Sequence, residues 1–315
     1  MRRVLLVWSL LITAQAFLIV RKGNSKTHQD ITRTAILRAT AKICESVEGF
    51  TKPEPLDTET LARSCKKDAF TKNFETGIKM ISYYNVKTDL DHLLEAKYHF
   101  HGETFVDGKL LIIKGVEDIS KDISREKFAD ARKKLGTILH TLQDFYSHSN
   151  WIELGNTEPC TALINPDENI PNPAKPNQET CECPTKNCEG NILKNIIEEK
   201  ILTSGYFGIK KKPKGKCSHG GPGDITAGLT QSLDGINKDF SASSHGSLHN
   251  KAADVAIDAS VQLLEKIWKN NDDANFFRLM GLHMEKPKGE WKTRLSLFQL
   301  KSRYPDASKD SDVEV

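Results

Sequence analysis

Residues 125–155 read Arg125-Glu-Lys-Phe128-Ala-Asp-Ala131-Arg-Lys-Lys-Leu135-Gly-Thr-Ile138-Leu139-His140-Thr-Leu142-Gln-Asp144-Phe145-Tyr146-Ser-His148-Ser-Asn-Trp151-Ile-Glu-Leu-Gly155. The apolar residues recur at three- and four-residue intervals, which predicts a long helix over this span. Leu139, Leu142, Phe145, Tyr146 and Trp151 make its second half apolar nearly all round, so the helix belongs at the centre of the fold. His140, Asp144 and His148 follow one another every fourth residue and fall in one stripe about 80° wide. Imidazole nitrogens and a carboxylate on successive turns can together hold a borderline cation such as zinc. The competing reading is a polar stripe, or a core histidine tied to the aspartate. Burial makes partners obligatory in either case.

Outward from this helix, Ile31, Ala35, Ile36, Ala39 and Ile43 predict an amphipathic helix over Thr27–Val47, opened by a threonine cap. Leu248, Ala252, Val255, Ala256, Ala259, Val261, Leu264 and Ile267 predict another over Ser247–Lys269. Weaker patterns cover 57–83 and 109–123, and a short helix is expected over 191–202. No strand-type alternation persists and no repeat is present, so the expected class is all-α. Prolines 159, 166, 171, 173, 176 and 184 mark 156–190 as a loop, and Gly, Lys and Pro mark 205–235 as a second one. Periodicity fades beyond about Lys286, and 286–315 reads as a disordered tail.

The chain has 315 residues, with 45 basic and 42 acidic side chains giving a net charge of +3. That balance excludes a charge-driven nucleic-acid binder. A mean hydropathy of −0.48 excludes a multi-span membrane protein. Arg2 and Arg3, the apolar run from Val4, and Ala14-Gln-Ala16 predict a secretory signal over 1–16, with Phe17 as the first mature residue. Seven cysteines, Cys44, Cys65, Cys160, Cys181, Cys183, Cys188 and Cys217, then point to disulfides. Cys44 with Cys65, and pairs drawn from Cys160 to Cys217, are candidates. Connectivity is open, and an odd number leaves at least one thiol unpaired or intermolecular. A zinc knuckle over Cys181–Cys188 is the weaker reading.

Further histidines lie outside the central helix: His28, His99 (with Asp89 also in that loop-like stretch), His219 in a loop, and His245 and His249 near the late helix. Five segments place them in order: Thr27-His28-Gln-Asp-Ile-Thr-Arg-Thr-Ala-Ile36, Leu139–Gly155, Leu202-Thr-Ser-Gly-Tyr-Phe-Gly208, Lys216-Cys-Ser-His-Gly-Gly221 and Gly235-Ile-Asn-Lys-Asp239. Together they resemble the N-terminal region of the von Willebrand factor A domain-containing protein 7 family and its Het-C relatives, over roughly 27–279. More distantly they are similar to the all-helical zinc-dependent phospholipase C and nuclease superfamily. The resemblance implies that helical fold over 17–280, with the two loops as insertions. It also implies metal-ligand roles for His28, Asp89, His99, His140, Asp144, His148 and His249, and for a free Phe17 amine.

The superfamily pattern has five residues between the central aspartate and its next histidine, where this chain has three. It also expects an acid at the position of Ala253, whereas Asp254 stands one step further on. The sequence therefore describes a secreted, extracellular, disulfide-stapled helical domain with a zinc site and no assigned turnover. Its alternatives are a zinc-dependent phosphodiester hydrolase and an adhesion or signalling fragment of a longer von Willebrand A domain protein. Its partner is extracellular and unnamed. Lys210–Lys216 is the stretch through which acidic lipid or glycan would be met, or else a solvated face. No catalytic residue is assigned.

Overall fold

A computed structural model describes residues 17, 23–66, 71–182, 191–208, 212–221, 224–227 and 235–283. The expected signal over 1–16, the tail from 286, and Cys183 and Cys188 lie outside these residues.

Among the described residues there are eight α-helices: α1 (His28–Cys44), α2 (Thr58–Cys65), α3 (Thr71–Asp91), α4 (Phe105–Ser124), α5 (Phe128–His148), α6 (Lys194–Glu198), α7 (His249–Lys269) and α8 (Asp273–Met280). Extended pairing among them is limited to isolated bridges, such as Ser149 with Ser204 and Tyr206 with Ser218. The class is all-α.

α5 is the axis. It packs against α3, α4 and α7, while α1 lies across α3 and α7. Every residue from Ile138 to His148 is buried, polar ones included. Leu135, Leu139, Leu142 and Phe145 join Ile31, Ile36, Ile78, Ile81, Ile112, Leu263 and Leu264 in one continuous core. Burial of such side chains is worth about 1.5–3 kcal/mol each. Thr27 caps α1: its hydroxyl accepts from the Asp30 amide, and the Asp30 carboxylate accepts from the Thr27 amide at 2.9 Å. The box satisfies two amides that the first turn would otherwise leave unpaired.

Two of the sequence's weaker patterns resolve differently. The 57–83 pattern is two helices, α2 and α3, and α3 runs on to Asp91, so Asp89 sits on a helix rather than in a loop. Expected helix 191–202 shrinks to the five residues of α6. At the end of that stretch Asn150 holds the chain extended. The Asn150 side chain accepts from the Thr203 amide at 2.8 Å and donates to the Ile201 carbonyl at 2.9 Å.

Cys44–Cys65 ties the end of α1 to the end of α2, and Cys181–Cys217 joins the two long loops. Cys160, a disulfide candidate in the sequence, is instead a buried thiol. Burial pushes that thiol up to about 11. Lys216 also departs from the solvated-face reading of its basic run: it is buried, with Nζ donating to Glu103 at 2.7 Å and to the Lys175 carbonyl at 2.9 Å. No helix among the described residues is long and apolar enough to cross a membrane.

Gly136 sets the closest approach of α5 to α3. A Cβ there would stand 2.5 Å from the Ile81 carbonyl oxygen and 2.8 Å from the Asn85 nitrogen. Gly136→Ala should therefore destabilise the domain by about 1–3 kcal/mol, although alanine gains about 1 kcal/mol in intrinsic helix propensity. Urea unfolding checks this. The expected result is a lower midpoint at unchanged slope, and a higher midpoint would show that the helices part freely.

Candidate metal centre

The α5–α3 approach brings Asn85 against His140, and the side chains around that contact form a closed polar core. The Gln143 carbonyl oxygen accepts from His28 Nδ1 at 2.7 Å and from the Asn85 amide at 3.1 Å. The Gln143 amide donates to Thr32 at 3.1 Å and to Ser260 at 3.3 Å. Asn85 Oδ1 lies 3.2 Å from His140 Nδ1 and fixes the imidazole with its Nε2 pointing the other way. Four helices thus orient two rings whose outer nitrogens face Asp144.

Around that carboxylate, His28 Nε2 stands 3.1 Å from Oδ1, while His140 Nε2 at 3.2 Å and His99 Nδ1 at 2.8 Å stand near Oδ2. All four residues are at most 2% exposed. His28 Nε2 and Asp144 Oδ1 have no hydrogen-bond partner despite their proximity. Two ligands on one tetrahedral zinc, each about 2.0–2.1 Å from it, stand about 3.3–3.4 Å apart. His28 and His140 stand about 0.1–0.3 Å inside that separation from Asp144, while His99 at 2.8 Å is at hydrogen-bond distance. His28, His140 and Asp144 form one group able to share an ion, and Asp89, His99 and His140 form another through the common His140.

Electrostatics follow from burial and from one charge. Burial drives His140 down to about 3, against the pull of the Asp144 carboxylate. Burial also favours the neutral acid at Asp144, yet the imidazoles packed around its two oxygens, His140 first, hold its carboxyl well below the usual carboxylate range. For His28 and His99 burial lowers the pKa, but the adjacent Asp144 carboxylate outweighs it and the net direction is up. The centre is organised about an ionised Asp144.

The structure places the other expected residues less uniformly. His148 is buried one turn further along α5, with Nδ1 3.9 Å from Asp144 Oδ2, and belongs to a different group with His101 and His219. His249 joins neither group: its Nε2 accepts from the Lys26 amide at 2.9 Å, and its Nδ1 donates to the Lys238 carbonyl at 2.8 Å. With both nitrogens engaged, that ring serves to hold the chain before α1. His245 is bonded to Glu153 at 2.6 Å.

His101 and Asp239 had no separate reading in the sequence. His101 lies two residues beyond His99 in a tight turn, where Gly102 takes φ +62°, and nothing in local periodicity marks it. Asp239 was visible only as the end of the Gly235–Asp239 segment.

An all-helical, disulfide-tied domain with a buried histidine and aspartate core is the class of protein that fold and site define. Comparison with known proteins narrows this. The family model described as the VWA7 N-terminal domain matches residues 56–277. The von Willebrand factor A domain-containing protein 7 of Mus musculus is 31% identical over 293 residues, 88% of this chain and 31% of that protein. Its Homo sapiens counterpart is 31% identical over 292 residues, with the same shares covered. The chain belongs to the VWA7 N-terminal domain family, and spans 31% of the length of these curated relatives. No solved structure gives a significant match.

Asn85 has one consequence testable without any ligand. Asn85→Ala removes the acceptor of His140 Nδ1 and the donor to Thr32 and Gln143, so the domain should lose about 1–3 kcal/mol. Denaturant unfolding measures it, and an unchanged midpoint would mean that the polar core is not organised by this side chain.

Proposed function

We propose that the domain is a secreted module that holds a divalent cation, zinc, inside its helical core, and that the cation's role is structural. The observation that carries this reading is the convergence of His28 Nε2 and Asp144 Oδ1, buried and without hydrogen-bond partners, on His140 Nε2. Leaving such groups unmatched costs roughly 1–3 kcal/mol or more apiece. A cation among them supplies the missing partner, and imidazole with carboxylate is a donor set zinc accepts. His28, His140 and Asp144 would hold it, with His99 and Asp89 on the adjoining side, and Gln143 and Asn85 would fix ring orientation from behind.

Structural rather than catalytic use is supported by closure. Catalytic zinc keeps a coordination position open to substrate, whereas these donors are walled in by α1, α3, α5 and α7. The hydrolase reading keeps one support, the distant similarity to zinc-dependent phospholipases C and nucleases. In that reading zinc would activate water and offset charge on phosphorus. Secretion is supported by the two disulfides and by the leader-like first sixteen residues. Cleavage after Ala16 would leave Phe17 as the first residue. Its ring packs against those of His28 and His249, with centroids 5.7 and 5.8 Å away.

Elemental analysis of the secreted protein tests the reading. Wild type should carry stoichiometric zinc, His140→Ala and Asp144→Asn should carry less, and chelation should lower the melting temperature. Zinc-free wild type would overturn it. Turnover of phospholipid or nucleic-acid phosphodiesters by the zinc-loaded chain would replace the structural role with the hydrolytic one.

A further inference from the structure

We infer that the chain holds another divalent cation, separate from the first, between His101, His148 and His219, with Asp239 as the fourth donor. The inference extends the zinc reading above but stands on different atoms. The ligand nitrogens of the three histidines lie within 4.8 Å of one another. Each presents a buried Nε2 that has no hydrogen-bond partner. Their rings are gathered with centroids 4.4 to 5.0 Å apart.

The far side of two of these rings is already committed. His148 Nδ1 donates to the His99 carbonyl at 2.9 Å, and His219 Nδ1 donates to the Gly220 carbonyl at 2.7 Å. A backbone carbonyl only accepts, so Nδ1 carries the hydrogen and, in a neutral ring, Nε2 carries the lone pair. Both lone pairs face a carboxylate: Asp239 Oδ1 is 3.3 Å from His148 Nε2, and Oδ2 is 3.5 Å from His219 Nε2. Electron pairs aimed at a carboxylate repel it, and protonating all three rings would crowd like charges in the same space. A cation between them removes both difficulties. Three imidazole nitrogens and one carboxylate oxygen form a complete tetrahedral set for zinc.

Nothing local in the sequence holds these four residues together, and several contacts do so in space. Ser147 donates to Asp239 Oδ1 at 2.7 Å. The neighbouring Lys238 is anchored by the Ser149 and Ile236 carbonyls and by Glu153, all within 2.9 Å. A Cβ on Gly205 would stand 2.6 Å from the His219 Cα, so a glycine lets the two loop segments close. Phe207 packs on His101 and His219, with centroids 5.2 and 5.5 Å away, and shields the site. Ligands with carbonyl partners behind them and an apolar cover in front are the arrangement a tightly held metal needs.

The experiment counts zinc on the secreted full chain by elemental analysis, for wild type, His219→Ala and His28→Ala. The variant His219→Ala should carry one equivalent fewer than wild type, while His28→Ala keeps the equivalent that His219→Ala loses. Equal zinc in wild type and His219→Ala overturns the second site and leaves the first standing. Zinc-free wild type overturns both. Should His219→Ala fail to fold, histidine-ring nitrogen NMR of chelator-treated wild type decides the matter during zinc addition. The Nε2 signals of His101, His148 and His219 should move together to the metal-bound range, and signals that stay in place would refute the site.

Discussion

An ionised carboxylate at zero exposure needs compensation worth several kcal/mol, or it will not remain both buried and charged. Asp144 meets that condition by being ringed with imidazoles from three other places: His28 on α1, His99 in the turn before α4, and His140 one turn back on its own helix. The rest of the molecule can be read as what this one charge demands. α5 is surrounded on the sides where Leu135, Leu139, Leu142 and Phe145 enter the core, and Asp144 is withdrawn from water with them. α1 and α3 are drawn in by the Gln143–Asn85–Thr32 bonds that orient the rings. Gly136 permits the approach on which that polar core depends.

Beyond α5, the molecule changes from helix to loop, and the source of order changes with it. The described residues of 149–182, 191–208, 212–221, 224–227 and 235–239 carry few large apolar side chains into the main core. They are held by Cys181–Cys217, by Asn150 bonded to both sides of Thr203, and by the buried lysines Lys216 and Lys238. The Lys238 ammonium has three acceptors around it and the Lys216 ammonium two, a carboxylate among them in each case, and that is what allows a charged lysine to be buried. Such clamps make loop positions as exact as helical ones, which is what lets His219 and Asp239 meet His148.

Much of this was legible in the sequence, and the limits are physical ones. Helical periodicity identified α1, α5 and α7 because each buries an apolar face. The i, i+4 rule put His140, Asp144 and His148 on one stripe because a helix has fixed geometry. The membership of His28 and His99 was implied by resemblance and not by local spacing, since no local pattern says which loop or helix will meet α5. His101 carries no local sequence signal for the same reason. His249 has the residue type of a ligand, but the backbone of Lys26 and Lys238 takes both its nitrogens, a fact that exists only after folding. His148 sits on the expected stripe and yet turns to other partners, because the His99 carbonyl holds its Nδ1.

The central claim is that histidine and aspartate in the helical core, and no cysteine, hold zinc in this domain. Zinc K-edge X-ray absorption on the secreted protein tests it most directly, because nitrogen or oxygen ligands stand at about 2.0–2.1 Å and thiolate sulfur at about 2.3 Å. The account predicts a first shell of nitrogen and oxygen alone, with the outer-shell scattering of several imidazoles. A sulfur shell, or protein that binds no zinc, would contradict it.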